Sequence, residues 1–270
     1  MNICLFTQEE IDSPLNINDE RAQHILKILH KKEGDTFAAG IINGMAGDAK
    51  ILSIKKQTVT NEKGKSFDEG EIVFSFTPQT DGKLLYPLKM IIGFPRPIQL
   101  KRLLRDMAGL GVCEVHLTGT ELGEKSYLDS DLATTDSGSK MLLEGTEQAA
   151  STHSPKLFRH NSLEECLAFI DGNSTDDNSK NTKQSLLALD NVEPKQSLTD
   201  FLESNPLKIN DNIVPAVAAI GSERGWTKKE RQILNAHGYE LLSMGCRVFR
   251  TETAATVAAS LILSSMHVLN

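Results

Sequence analysis

From Leu88 onward, short apolar runs alternate with stretches of helical periodicity, and this alternation constrains the fold more than any other feature of the chain. Leu88–Phe94, Val112–Leu117, Ser185–Asp190, Ile213–Gly221 and Tyr239–Met244 read as strands. Ile98–Leu110 places Leu100, Leu103, Leu104, Met107 and Leu110 on one side of a helix, Lys140–Ala150 reads as another, and further helices begin near Ser197, Thr227 and Thr251. Nearly continuous apolar strands separated by helices predict an α/β fold with a mainly parallel sheet covered on both faces. The first 80 residues read differently, as a small β-rich module. One helix covers Arg21–His30, with Ile25, Leu26, Ile28 and Leu29 as its apolar side, and strands follow around 36–42, 47–54 and 71–77. Gln79–Lys83, with Gly82, reads as the linker, so the expected domains are 1–80 and 83–270. Asp171–Gln184 is polar and low in complexity, and is expected to be a loop or a partly disordered insertion.

Two glycine-bearing loops stand out, each between an apolar strand and a helix start. The first is Gly221-Ser222-Glu223-Arg224-Gly225-Trp226-Thr227; the second runs from Met244-Gly245-Cys246-Arg247 through Val248-Phe249-Arg250-Thr251-Glu252-Thr253-Ala254. Their closeness in sequence suggests two neighbouring strands delivering their ends to one pocket, and open α/β sheets bind ligands outside the carboxyl ends of their strands. Thr227-Lys228-Lys229-Glu230 is a capping box. Thr251 is the expected N-cap of a last helix whose Ala254, Ala255, Ala258, Ala259 and Ser260 permit close packing, in the core or across a dimer interface. Arg247 and Arg250 precede that helix N-terminus, where a cation is unfavourable. Either Glu252 or a bound ligand is therefore expected to supply an anion.

A net charge of -7 does not exclude a nucleic-acid partner, because the acid is concentrated. Residues 160–212 hold ten acidic side chains against four Lys/Arg, whereas Lys83–Arg105 has six Lys/Arg and no acid. Local basic surface is what phosphate contacts need. No phosphate-binding GxxxxGK[ST], GxGxxG or GxSxG motif occurs, and the seven histidines show no metal-ligand spacing, so no metal is expected. Cys4, Cys113, Cys166 and Cys246 are scattered singly and read as reduced packing residues. No apolar run is long enough to span a membrane and the first residues lack a signal-peptide pattern, so a cytoplasmic protein is expected.

Taken together, the two loops resemble the paired motifs of the SPOUT methyltransferase superfamily, and more closely the small-subunit ribosomal RNA (uracil-N3) methyltransferase family, often called RsmE. That family reads roughly I-G-P-E-G/R-G-W/F-S/T…E and then L-G-x-R-I/V-L-R-x-E-T-A; this chain has Ile220–Thr227 with Glu230, and Met244–Ala254. The likeness extends over nearly the whole chain. Arg21-Ala22-Gln23-His24-Ile25-Leu26-Lys27-Ile28-Leu29 with Gly34-Asp35 resembles the family's PUA-like module, and Pro95-Arg96-Pro97, Glu124-Lys125-Ser126-Tyr127 and Leu143–Gln148 resemble a subgroup. Ser222 stands where the family usually has proline, and Met244 and Phe249 replace leucines.

The resemblance implies an N-terminal PUA-like β-barrel and a C-terminal SPOUT α/β domain whose segment 185–270 forms a deep trefoil knot. It implies S-adenosylmethionine as cofactor, a homodimer, and small-subunit (16S) ribosomal RNA or a 30S-type particle as partner. Leu189, Ile220, Gly221, Glu223, Gly225, Met244, Gly245, Val248 and Phe249 are the candidates to hold the cofactor. Arg250 would stabilise charge on a uracil carbonyl, with Glu252 orienting it or taking the proton. Arg21, His24, Arg96, Lys101 and Arg102 are the candidate RNA contacts. A SPOUT enzyme acting on another nucleoside and a non-catalytic RNA-binding or ribosome-assembly protein remain the alternatives.

Overall fold

A computed structural model describes residues 2–60, 66–128, 135–173 and 184–269. The chain forms two compact units, one of residues 1–84 with 146–154, the other of 85–145 with 155–270. In the first, β1 (Cys4–Phe6), β2 (Leu15–Asn16), β3 (Thr36–Ile41), β4 (Ala46–Thr60) and β5 (Ser66–Thr80) form a sheet in the order β1-β3-β4-β5-β2. β1 runs parallel to β3 and the other pairs are antiparallel. Phe6, Ile25, Phe37, Ile51, Ile72 and Phe74 are buried between this sheet and its helix. The hairpin outruns the predicted strands 47–54 and 71–77 because apolar alternation stops there. Beyond it, cross-strand ion pairs continue the ladder, Lys55 with Glu71 at 2.8 Å and Lys56 with Asp68 at 3.0 Å. Gln79 and Thr80, expected in a linker, are the last residues of β5.

The expected helix over Arg21–His30 is shorter and differently wound. Asp19 caps α1 (Glu20–Gln23) by accepting from the Arg21 N–H, and the chain then widens into a π-helical turn, His24–Ile28, closed by the Leu29 N–H on the His24 carbonyl at 2.9 Å. A π turn adds a residue and rotates the side chains that follow. Ile25 stays fully buried, but Ile28 is 65% exposed and Leu29 is exposed too.

The second unit contains β6 (Tyr86–Gly93), α2 (Pro97–Leu110), β7 (Val112–Thr118), α3 (Lys125–Leu128), α4 (Thr135–Gln148, its last three residues belonging to the first unit), β8 (Lys156–His160), α5 (Leu163–Asn173), β9 (Ser185–Leu189), β10 (Gln196–Ser197) and α6 (Leu198–Ser204). It continues with β11 (Lys208–Ile209), β12 (Asn212–Ile213), β13 (Ala216–Ile220), α7 (Lys228–Ala236), β14 (Glu240–Ser243) and α8 (Thr251–Ser265). Among the described residues, seven strands form one sheet in the order β10-β14-β9-β13-β6-β7-β8, all pairs parallel. Alternation along the strands divides the core. Leu88, Met90, Ile92, Ala218 and Ile220 face α2 and α8, while Ile91, Val217 and Ala219 face α5, Trp226 and α7.

One expectation changes here. β13 and β14 are not neighbours: β9 lies between them and pairs with both. Of the two readings of the α8 alanines, core packing is the one the chain adopts, with Ala255, Ala258 and Ala259 fully buried in the cluster that includes α2. The sequence pattern also missed β8, α5 and the short β10–β12, where acidic and polar residues mask the periodicity. Most of the polar stretch Asp171–Gln184 lies outside the described residues, and Asp171–Asn173 belongs to α5.

Candidate functional site

At the carboxyl ends of β9, β13 and β14 lies a cavity of about 290 Å³. Three loops wall it. All nine residues expected to hold a cofactor line it: Leu189; Ile220, Gly221, Glu223 and Gly225; and Met244, Gly245, Val248 and Phe249. Asp190, Asn191 and Val192 join them, because the insertion of β9 between the other two strands brings its own terminal loop into the wall. That third loop carries no glycine and gave no signal in the sequence.

The first loop is tightly built. Ser222 opens a turn closed by the Gly225 N–H on its carbonyl at 2.8 Å, with Gly225 in the left-handed region at φ +71. The Trp226 indole, buried, donates to the Leu189 carbonyl at 3.0 Å and so fastens this loop to the end of β9. The predicted capping box is present: Thr227 accepts from the Glu230 N–H, and the Glu230 carboxylate accepts from the Thr227 N–H. Glu230 is itself buried and accepts from the Glu121 N–H as well, at 2.9 Å.

Beneath the cavity, Arg231 of α7 donates two hydrogen bonds to Asp190, at 2.9 and 3.0 Å, and both side chains are buried. Asp190 also accepts from the Glu193 N–H, shaping the 190–193 turn. Burial would raise the Asp190 carboxyl, but the Arg231 guanidinium outweighs it and holds it below its ordinary value. Sequence reasoning missed this pair, which joins residues 41 apart through a strand end and a helix face.

Thr251 is not the N-cap of α8. Arg250 occupies that position without a side-chain cap, and the buried Thr251 hydroxyl donates instead to the Gly221 carbonyl at 3.4 Å, linking the second loop to the first. Arg250 is exposed, Glu252 lies in the first turn of α8, and neither lines the cavity. Among the described residues no carboxylate pairs with Arg247 or Arg250, so Glu252 does not supply the expected anion. Arg96 ion-pairs with Glu223 at 3.1 Å across two loops at the sheet end. Lys101 and Arg102 are exposed on α2, with Arg102 3.8 Å from Asp106. In the first unit Arg21 is held by Asp19 and Glu10, at 2.8 and 2.9 Å, and stacks over Phe6. His24 turns a buried Nε2 inward, with no hydrogen-bond partner among the described residues.

Away from the cavity, the fold gathers three groups that the sequence spacing kept apart: His116, His160 and Cys166, all buried, with ligand-type atoms within 4.8 Å of one another. The rings of His116 and His160 lie 17° from parallel with Nδ1 and Nε2 3.1 Å apart. Glu114 accepts a hydrogen bond from the His116 Nε2–H at 3.1 Å, which leaves Nδ1 to accept from His160 Nε2. The three side chains thus form a hydrogen-bonded chain. Burial pushes the Cys166 thiol up to about 12. Cys4 is likewise buried, but Cys246, expected to pack, is exposed in the second loop.

Comparison with known proteins gives the family of the chain. A model of the RNA methyltransferase domain matches residues 83–263. The ribosomal RNA small subunit methyltransferase E of Treponema pallidum (strain Nichols) is 40% identical over 275 residues, covering 99% of this chain and 92% of the relative. This chain belongs to that methyltransferase family. A second member, ribosomal RNA small subunit methyltransferase E 1 of Borreliella burgdorferi, is 33% identical over 98% of both chains. The family fold is shared with a solved structure of ribosomal RNA small subunit methyltransferase E from Neisseria gonorrhoeae, bound to S-adenosyl methionine. That structure has a TM-score of 0.65 at 18% identity, covering 98% of this chain and 97% of that one. Among the described residues no helix is long and apolar enough to cross a membrane.

Proposed function

We propose that this chain transfers the methyl group of S-adenosylmethionine to N3 of a uridine in small-subunit ribosomal RNA. The observation that carries this is the convergence of all nine expected cofactor residues on one cavity, in a chain 40% identical to a ribosomal RNA small subunit methyltransferase E. The cavity suits the cofactor. Its volume approaches the lower end of ordinary small-molecule sites, about 300 Å³. Leu189, Ile220, Met244, Val248 and Phe249 offer apolar walls for a flat base. Ser222 carries a buried hydroxyl with no partner among the described residues, a hydrogen bond left to offer.

When bound, the cofactor supplies an electrophilic methyl on a sulfonium, so no protein nucleophile is required. The task of the chain is alignment and proton management. Arg250 stabilises negative charge on a uracil carbonyl as N3 loses its proton; it stays protonated and so is not the base. Glu252, which makes no pair with Arg250 in this structure, turns to orient it once RNA is bound, or accepts that proton. Arg21, His24, Arg96, Lys101 and Arg102 contribute RNA contacts, with the cations of Arg21 and Arg96 shared with acidic partners. Residues 1–80 serve as a PUA-like RNA-binding barrel and 83–270 as the methyltransferase domain. Segment 185–270 forms a trefoil knot, as the family resemblance implies. A cytoplasmic homodimer acting on free RNA or a 30S-type particle completes the proposal.

The test is calorimetric titration of S-adenosylmethionine into wild type and Arg250→Ala, with methyl transfer to small-subunit particles read as N3-methyluridine by nucleoside mass spectrometry. Saturable binding by both proteins, with transfer lost only in Arg250→Ala, is expected. Absence of cofactor binding by the wild type, with and without RNA, overturns the proposal.

A further inference from the structure

The cations around the cavity differ in how they are spent. Between Ser222 and Arg250 there are six Lys/Arg. Arg231 is neutralised by Asp190 beneath the floor, and Lys229 by Glu121 and Glu164. Glu223, the acid nearest in the first loop, is taken by Arg96. Arg224 and Arg247 line the cavity, both are exposed, and neither has an anionic partner among the described residues. In a chain of net charge -7, two cations left uncompensated at the same opening need an explanation.

They stand on different loops, Arg224 after β13 and Arg247 after β14. Because β9 separates these strands, the loops leave the sheet two strand spacings apart, roughly 10 Å. A cofactor carboxylate, carrying one charge beside its own ammonium, calls for one cation at most. A polynucleotide carries charge on both sides of every nucleotide. N3 of uracil lies on the Watson–Crick edge, so the target nucleotide must be unpaired and turned out of its stack to enter the site. An unstacked nucleotide is then held through its backbone, and the planar fork of arginine fits phosphate oxygens.

Resting on the function proposed above, we infer that Arg224 and Arg247 form a two-sided clamp on the RNA phosphates that flank the target nucleotide. Arg96 supports it from behind by holding Glu223, which keeps that carboxylate away from Arg224. The clamp grips the backbone and carries no base specificity, which is left to the cavity and to Arg250.

The experiment uses the full chain and single-stranded small-subunit RNA, with cofactor binding and methyl transfer by the wild type measured first. Arg224→Ala, Arg247→Ala and the double variant are measured for RNA affinity across a salt series, for cofactor affinity, and for KM and kcat. Lys156→Ala, an exposed charge on β8 outside the cavity lining, is the control. Each arginine removed should lower the slope of log affinity against log salt by about 0.7, the value for one phosphate contact on a single strand. Binding should weaken roughly tenfold per arginine, as KM, with cofactor affinity unchanged. Weakened cofactor binding with an unchanged salt slope would assign the arginines to the cofactor carboxylate and overturn the clamp. Wild-type behaviour of the double variant in both arms would overturn it as well. If the wild type does not methylate, the functional proposal fails on its own, and the salt series still decides the clamp.

Discussion

Gly93 ends β6 directly behind the first cavity loop, and a single methyl there tests whether the loop sits where the site requires. A Cβ at position 93 would lie 2.4 Å from the Ser222 nitrogen, 2.8 Å from the Gly221 carbonyl carbon and 2.9 Å from the Ser222 Cα. All three atoms are backbone, so no side chain can swing aside. Restoring an ordinary separation of about 3.5 Å requires the loop to retreat by about 1 Å. Overpacking of this kind costs about 1–3 kcal/mol, which for a chain of this size lowers Tm by roughly 2–12 °C. The functional effect should be larger than the stability effect, because a displacement of about 1 Å can reduce a rate about a hundredfold. Gly93→Ala is therefore expected to remain folded by circular dichroism, with reduced Tm, and to lose most cofactor binding by calorimetry. Gly109→Ala is the matched control: it lies in α2 with nothing within 4 Å of its added Cβ, and should stabilise by roughly 0.5–1 kcal/mol. Wild-type cofactor affinity and Tm in Gly93→Ala would refute the placement of the Gly221–Ser222 backbone against β6.

Two further predictions concern buried charge. Arg231→Met leaves Asp190 without its partner and should cost about 3–5 kcal/mol, whereas Asp190→Asn combined with Arg231→Met should recover part of that; chemical denaturation of both single variants, Arg231→Met and Asp190→Asn, and of the double gives the coupling, and additive losses would count against it. Burial would raise the Glu114 carboxyl, but hydrogen bonds from His116 and Lys89 outweigh it and hold it at about 2, against an ordinary value of 4.5. A depressed carboxylate stabilises the fold fully above pH 4.5, and that stability is lost as pH falls toward 2. The gap is worth on the order of 3 kcal/mol. The stability difference between wild type and Glu114→Gln should shrink across that window, and a difference independent of pH would exclude the carboxylate as its source.

What was legible in the sequence depended on whether a constraint is local. β13 is buried throughout, and β6 and β9 over most of their length, so they read as predominantly apolar runs, and the capping box at Thr227–Glu230 is contained in four residues. The glycines marked the first two cavity loops for the same reason. The third loop was invisible because its shape is imposed from a distance, by Arg231 on Asp190 and by the Trp226 indole on Leu189. Nor could spacing reveal that β9 separates β13 from β14, since strand order is set by pairings between segments tens of residues apart. Thr251 looked like a cap because threonine favours that position. Its hydroxyl instead turns inward to Gly221, a choice open to it only because another loop is there.

Ser222 brings these constraints together. A proline at that position, as the family usually has, would fix φ and stiffen the loop by itself. Here the rigidity must come from elsewhere, and three contacts supply it: the turn closed by Gly225 on Ser222, the indole of Trp226 on Leu189, and the Arg96 ion pair on Glu223. The first two are shielded or local. The third is exposed, and exposed ion pairs contribute about 0–1 kcal/mol and weaken with salt. Arg96→Ala should therefore leave Tm nearly unchanged while loosening the outer half of the loop, at Glu223 and Arg224. Amide hydrogen exchange at residues 222–225 should rise, and rise further in Arg96→Ala combined with Ser222→Gly. Restored protection in Arg96→Ala combined with Ser222→Pro would show that the ion pair stands in for the missing ring. Unchanged exchange in Arg96→Ala would mean that the turn and the indole suffice.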